Sequence, residues 1–549
     1  PYRDDAETKI KSAREEALRK MPNMSPWVLD DNGNETDVYF TQPKDCIQGL
    51  QPNPVAMVHN SNINIIQRST SANFVIDYKI LNCLTFNTNI AFGLETTKTK
   101  SLYPGEASGL IWSNSEYNLV KDKTNNKMSL NTRSRLSFNK VFSQHQLTVS
   151  GILTTKEYTP SSYQALISGI GSGELADPSA GGKVNSLESS DEKVREVGVI
   201  GSLQYGFGGR YYLTAGLRSD ATSKTGRNSR WGTFPTLSLK WRMNRETFLQ
   251  KYEWLSDLSL SGGWGKSGKA PNGSFTYVGT FDAEDAYMDE SAVKPTSMQL
   301  NKLKWEVTSS LNGGLKLGFW NDKVTVDFDY YLKQTSDLLQ KDMQISSITG
   351  FSKVGYFNSG KTENRGWELA FNFKDIVKVN GFTVSINNLN ISRNRNRVLE
   401  LPTNKSEESY TKGNGQYALR IFEGQPLGAF YGYNCLGVYQ NLGETVARNA
   451  SGQVMRDVNG KEITTKIFGT TSVYPGDAKY ADHNHDGVID QYDMVYLGNA
   501  MPIMTGGGSI RLAYKGWSLR TSFHFRIGQK VINRTRINTE AMYNGDNQR

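Results

Sequence analysis

The chain is 549 residues long with 37% apolar and 11% aromatic side chains. Its mean hydropathy is −0.54, and no apolar run reaches the length of a spanning helix, which excludes a helical membrane protein. Lys and Arg number 63 against 54 Asp and Glu, a net +9 scattered without a basic helix or zinc-finger spacing, so nucleic acid is not an expected partner.

The first 61 residues combine a helix-like stretch at Ala6–Met21 with Pro-, Asn- and Asp-rich sequence through Pro22, Pro26, Pro43, Pro52 and Pro54, and read as an extracellular loop region. Pro1-Tyr2-Arg3 carries no basic leader, apolar stretch or cleavage site, so an export signal is expected upstream of it. From residue 62 onward the sequence alternates. Ile63–Ile80 and Leu84–Leu94 form the first pair, joined only by Leu81, Asn82 and Cys83. The same unit recurs as Met128–Phe142 with Gln146–Tyr158, Glu192–Phe207 with Arg210–Asp220, and Trp231–Trp241 with Leu258–Lys266.

The clearest case is Leu303–Leu339. Leu303, Trp305, Val307, Leu311, Leu315, Leu317 and Phe319 occupy odd positions, and after Trp320-Asn321-Asp322-Lys323 the phase restarts with Val324, Val326, Phe328, Tyr330 and Leu332 on one face. That period of two predicts a hairpin of two long strands, one face apolar and the other charged. Thr362–Phe373 with Phe382–Ser392 and Thr505–Tyr514 with Trp517–Ile527 complete the series, about 14 strands in all.

These arms alternate for longer than the ~9–11 residues a tilted strand needs to cross a bilayer. An all-β transmembrane antiparallel β-barrel accounts for this: apolar side chains face lipid, charged ones a wet lumen, and strand pairing satisfies the backbone. Short links such as Phe207-Gly208-Gly209-Arg210 and Tyr514-Lys515-Gly516-Trp517 alternate with long polar stretches near 95–127, 158–191, 267–302, 334–361 and 393–504. Tight periplasmic turns opposite long extracellular loops are the outer-membrane pattern. Aromatic pairs near strand ends, Phe319 with Trp320 and Tyr211 with Tyr212, suit interfacial girdles.

Five blocks resemble the SusC/RagA family of TonB-dependent outer-membrane transporters, in family order: Arg230–Trp241, Leu303–Leu339, Gly360–Phe371, Phe422–Gln440 and Pro475–Pro502. The resemblance runs from about Pro22 to Ile527 and implies part of a 22-stranded barrel, residues 62–549, in the Gram-negative outer membrane. It further implies a SusD-like surface lipoprotein as lid, import of oligosaccharides or oligopeptides, and energy delivered through TonB. No plug domain or TonB box precedes Pro1, and the last barrel strands are absent after Arg549, so the chain reads as the middle and later part of a barrel, with TonB contact and the remaining plug and barrel supplied elsewhere.

The strongest local chemistry lies in the 440–502 loop. Asp482, Asn484, Asp486, Asp490 and Asp493 fall at positions 1, 3, 5, 9 and 12 of an EF-hand-like loop, with Gly487 at its turn and Val488 placed to offer a carbonyl. Hard oxygen ligands at that spacing predict a structural Ca2+ site, the alternative being an Asp/Asn/Gly-rich turn that binds nothing. His483 and His485 occupy non-ligand positions, and Cys46, Cys83 and Cys435 have neither metal nor disulfide spacing.

Gly265-Lys266-Ser267 lacks the first glycine of a phosphate loop and no nucleophile triad can be assembled, so an enzyme is not expected. Lys304, Glu306, Asp327, Asp329, Lys333, Arg520 and Arg526 are expected along a polar lumen wall, with no residue assigned to substrate. Two other readings are a passive outer-membrane porin and a secreted calcium-dependent carbohydrate-binding or adhesion β-protein.

Overall fold

The computed structural model describes residues 13–19, 25–40, 52–108, 110, 112–180, 182–287, 290–351, 353–401, 407–411, 418–533 and 536. Fourteen antiparallel strands form one continuous path: β1 (Asn62–Leu81), β2 (Leu84–Tyr103), β3 (Leu119–Phe142), β4 (His145–Ser168), β5 (Val194–Phe207), β6 (Tyr211–Thr222) and β7 (Trp231–Arg242), then β8 (Leu255–Lys269), β9 (Glu306–Phe319), β10 (Val324–Ser336), β11 (Lys361–Val379), β12 (Phe382–Glu400), β13 (Met504–Tyr514) and β14 (Trp517–Ile527). Each strand pairs with its predecessor in the series, so the wall is a meander. Among the described residues β1 and β14 do not pair with each other.

Alternation sets the two faces. On the outer one stand Phe74, Ile76 and Tyr78 of β1, Leu237 and Leu239 of β7, Leu260 of β8, Leu311 of β9 and Leu519 of β14, all exposed in the chain as it stands. An apolar sheet face of this extent is what lipid contact requires. Because the wet face is polar, the sheet packs no conventional core. The buried clusters are small and sit at the long-loop end: Leu102, Val120 and Ile170 in one, Tyr103, Leu119 and Leu166 with Ile63 in the other.

At the opposite end most of the links are short, the one over residues 243–254 excepted. Gly208 (φ 57°) with Gly209 (φ 64°), and Lys515 (φ 40°) with Gly516 (φ 89°), supply the positive φ that a two-residue hairpin turn needs to match strand twist. The β9–β10 link turns through three successive left-handed residues, Trp320, Asn321 and Asp322, and Ser256 ties it to β8 through Asp322 Oδ1 at 2.7 Å. Stacked rings line this rim, Tyr211 on Trp241 and Trp254 on Phe319, at the depth where an interfacial girdle lies.

Several sequence expectations change at the long-loop end. The loops anticipated at 95–127 and 158–191 contract, since β2 runs on to Tyr103, β3 begins at Leu119 and β4 continues to Ser168, where Lys183–Asp191 pairs with it. Strands of 20–24 residues span roughly 65–80 Å at ~3.3 Å per residue, far beyond a ~30 Å hydrocarbon layer, so they stand well clear of it. Outside the lipid neither face meets hydrocarbon, strict alternation is no longer needed, and the sequence there resembles a loop. Two further loops hold hairpins of their own, Phe281–Tyr287 with Glu290–Pro295 and Leu339–Gln344 with Lys353–Asn358.

Within residues 1–61 the helix is Ala13–Arg19, the rest of the anticipated Ala6–Met21 lying outside the described residues. A short hairpin, Trp27–Leu29 with Glu35–Tyr39, and a helix, Pro54–Asn60, follow. Asn53 caps that helix, accepting from Val55 N at 3.0 Å and Ala56 N at 3.3 Å. Asn60 then bonds Glu106 at 2.9 Å, which fixes the helix at the long-loop end of β1 and β2.

Candidate functional site

The inward face of the wall is a polar surface built by registered pairs. Asp327 of β10 lies opposite Lys316 of β9, and Asp329 opposite Gly314, whose missing side chain leaves room for its carboxylate. Lys333 sits over the Tyr331 ring at 5.0 Å. Arg520 of β14 faces Arg511 of β13, and Arg526 faces Thr505. Glu306 opens β9 and its carboxylate accepts from Leu339 N at 3.3 Å.

Lys304 departs from the expected set. β9 begins at Glu306, so Leu303, Lys304 and Trp305 precede the strand; Leu303 is buried, and Lys304 reaches Asp337 at 2.9 Å, bracing the junction between β9 and β10. It belongs to the long-loop rim.

A larger feature of the wall breaks the alternation rule. On β7 the even positions Thr236, Ser238 and Lys240 share the inward phase, and Phe234 shares it with them while being almost fully buried. Its ring lies where side chains at Gly232 and Gly268 would otherwise be, and meets Trp305 edge-on at 5.7 Å. Trp305 is held in turn by its Nε1, which donates to the Arg230 carbonyl at 3.1 Å.

Around this aromatic seat opens a cavity of about 700 Å³ that Lys156, Glu196, Arg218, Asp220 and Lys266 also line. Arg218 Nε donates to Asp220 Oδ2 at 2.5 Å. Both charge signs beside an aromatic floor can hold a polar oligomer by hydrogen bonding and ring contact. Sequence reading missed this site. Its one visible signal was a phenylalanine on the polar phase of Arg230–Trp241.

The second candidate lies beyond β12. Residues 429–499 fold on a pairing of Ala429–Gly432 with Val495–Asn499, and Cys435–Val438 pairs with Ala478–Tyr480. Lys479 donates to Glu444 Oε2 at 3.1 Å. That hydrogen bond, followed by the backbone N–H of Gln440, holds the Glu444 carboxyl below its ordinary range.

The acidic loop hangs from this frame. Asp482 Oδ2 accepts from Gly487 N at 2.8 Å, and Asp493, fully buried, accepts from His483 N at 2.8 Å and Asp490 N at 2.9 Å. Asn484 and Asp486 bond each other at 2.9 Å. Asp490 also caps the short turn Gln491–Asp493, in a capping box that the spacing Asp490-x-x-Asp493 could have revealed. His483 and His485 are exposed, as their positions suggested.

Three observations bear on Ca2+. Asp482 Oδ1 is buried without a hydrogen-bond partner. Gly487 adopts φ 82°, the left-handed turn such loops require. Val488–Ile489 pairs with Lys466–Ile467, and the N–H groups of Lys466 and Phe468 donate to the carbonyls of Gly487 and Ile489, so alternation turns the Val488 carbonyl the other way. Among the described residues no three acidic or imidazole groups stand together as a cage. Asp482, Asn484, Asp486, Asp490, Asp493 and the Val488 carbonyl are hard oxygen donors of the kind calcium takes, but their acidic groups are not gathered around one point in this structure.

Comparison with known proteins places this geometry. Residues 26–491 match a family described as "TonB dependent receptor-like, beta-barrel". The TonB-dependent receptor SusC of Bacteroides thetaiotaomicron is 29% identical over 390 residues, covering 65% of this chain and 35% of that protein. The TonB-dependent receptor P39 of Formosa agariphila is 27% identical over 511 residues, covering 87% of this chain and 47% of that protein. The RagAB peptide transporter superposes with a TM-score of 0.73 at 22% identity, over 94% of this chain and 54% of its own, a likeness of fold. The chain spans about half the length or less of the curated relatives it matches.

Proposed function

The chain belongs to the TonB-dependent receptor β-barrel family, and on that premise we propose that it is the barrel wall of a SusC-type importer of an oligomeric nutrient in the Gram-negative outer membrane. The nutrient is an oligosaccharide or an oligopeptide. A SusD-like lipoprotein covers the long-loop end, and TonB supplies energy through parts of the transporter beyond this chain. The observation that carries the reading is the meander of β1–β14, apolar outward and polar inward, joined to the SusC likeness over 390 residues.

The test is recovery of the native protein from outer membranes in mild detergent, with mass spectrometry of what accompanies it. A plug-bearing segment and a surface lipoprotein are expected. The chain with neither would turn the reading toward a passive porin. Uptake of labelled oligosaccharides and of labelled peptides by cells, with and without TonB, then separates the two cargo classes.

Within the extracellular loop, Asp482, Asn484, Asp486, Val488, Asp490 and Asp493 hold a structural Ca2+. The ion would supply positive charge to carboxylates crowded on one turn. Asp486→Ala should make residues 440–502 several-fold more sensitive to protease in calcium while leaving the barrel folded. Equal cleavage of both proteins with and without calcium would refute the site.

A further inference from the structure

The outer face of β11 and β12 carries unpaired charge directly above the apolar band. Moving away from the short-turn end, the outward pairs are Phe371 with Leu389, Leu369 with Ile391, Trp367 with Arg393, Arg365 with Arg395, and Glu363 with Arg397. Trp367 also lies beside Tyr330 of β10. Successive same-face pairs rise by roughly 7 Å along a strand, or about 5 Å along the membrane normal at a tilt of 35–45°. The aromatic pair and the first arginines thus stand at headgroup depth, just beyond the last aliphatic pair.

Arg365, Arg393 and Arg395 are exposed, and none of their guanidinium groups has a hydrogen bond or ion pair among the described residues. Arg365 lies directly across from Arg395, an arrangement of like charges that destabilises a sheet unless an anion sits between them. At two other places on this outer face cations are neutralised within the protein: Lys98 and Lys100 share Asp122 at 3.9 and 3.7 Å, and Lys193 and Arg195 share Glu157 at 2.8 Å each. Glu363, the nearest outward acid, lies across from Arg397, one step beyond the three, and accepts from Gln334 Nε2 at 2.9 Å.

We propose that Arg365, Arg393 and Arg395 bind the phosphate groups of the outer-leaflet glycolipid. The planar guanidinium fork matches a phosphate through two parallel hydrogen bonds. Acyl chains lie along Phe371, Leu389, Leu369 and Ile391, which puts the headgroup against Trp367 and the arginines. This continuity with the aliphatic rows selects a lipid phosphate over a free one. The inference rests on the outer-membrane placement and is independent of the cargo and of energy coupling.

The experiment uses the full-length transporter in detergent, titrated with bisphosphorylated lipid A, with its dephosphorylated form and with inorganic phosphate, binding being read by native mass spectrometry. The phosphorylated lipid is expected to bind, and Arg365→Gln/Arg393→Gln/Arg395→Gln to weaken it about a hundredfold, at roughly one kcal/mol for each basic side chain near a headgroup. The corresponding triple lysine variant should keep most of the binding, and the dephosphorylated lipid should bind no better to the native protein than to the glutamine variant. Equal binding of the two lipids by the native protein would overturn the proposal even if the glutamine variant failed to fold. So would unchanged binding by a folded variant, saturation by inorganic phosphate alone, or a dimer that dissociates in that variant.

Discussion

At the scale of single residues, Phe234 shows how a functional feature hides inside a regular pattern. Glycines at 232 and 268 give up their side-chain space so that one ring can lie flat on an otherwise polar wall. Gly268→Leu should therefore cost stability on its own, by about 1–3 kcal/mol for forced overpacking. In Phe234→Ala, which vacates the space, the same substitution should cost much less, and a double-mutant cycle on the unfolding midpoint in urea checks that coupling. Additive effects would mean the ring does not occupy that seat. Glu444 makes a second residue-scale case. Its folded carboxyl titrates below its ordinary value because Lys479 and Gln440 N bond the charged form, so its contribution is present above the unfolded pKa and is lost as pH falls through the folded one. Protease resistance of the 433–499 segment should stay flat between about pH 6 and 8 and decline below about pH 4, and Glu444→Gln should remove that acid-side step.

At the scale of elements, the sequence was most legible where one strand face meets lipid. Every one of the fourteen strands was visible there, because a single register slip would put Leu315 or Phe328 into water and Asp327 into hydrocarbon. Their outer ends were not, since residues 95–103 and 119–127 stand clear of the lipid and pack against neighbouring loops, where no strict alternation is imposed. Phe234 escaped for a different reason: its seat depends on glycines from two strands and on Trp305, a juxtaposition made only by pairing. In the acidic loop the turn at Gly487 was legible from spacing, whereas the parallel pairing that turns the Val488 carbonyl was not. Turn chemistry is local and therefore testable at single positions. Around Gly516 the space is open, so the cost of Gly516→Val comes from its φ of 89° and should reach about 1 kcal/mol or more. Lys515→Asn would install the preferred Asn-Gly turn. It should stabilise the hairpin by less than about 1 kcal/mol, because the Lys515 ammonium now lies 5.2 Å from the Tyr514 ring and that contact is lost. Urea midpoints that moved in the same direction for both variants would contradict the turn assignment.

At the scale of the whole molecule, both readings of the outer surface depend on orientation: the long-loop end must face the environment for a lipoprotein lid, and the arginine rows must meet the outer leaflet. The chain carries its own reporters for this. Cys435 is exposed in the folded segment beyond β12, and Cys83 lies in the tight link between β1 and β2 at the other end. Cys46 falls outside the described residues and is replaced by serine to leave two thiols. In the full-length transporter, with any cysteines beyond this chain also replaced, a membrane-impermeant maleimide applied to intact cells should modify Cys435 rapidly. Cys83 should react only once the outer membrane is permeabilised, because the bilayer separates it from the medium. The contrast should exceed about tenfold in rate, since an impermeant reagent reaches an exposed thiol and not one shielded by a membrane. Labelling of Cys83 ahead of Cys435 would invert the barrel, placing the acidic loop and Arg393 on the periplasmic side and removing the basis for both the lid and the glycolipid site. Equal labelling of the two in intact cells would show that this wall does not divide two compartments, which no barrel in a sealed outer membrane permits.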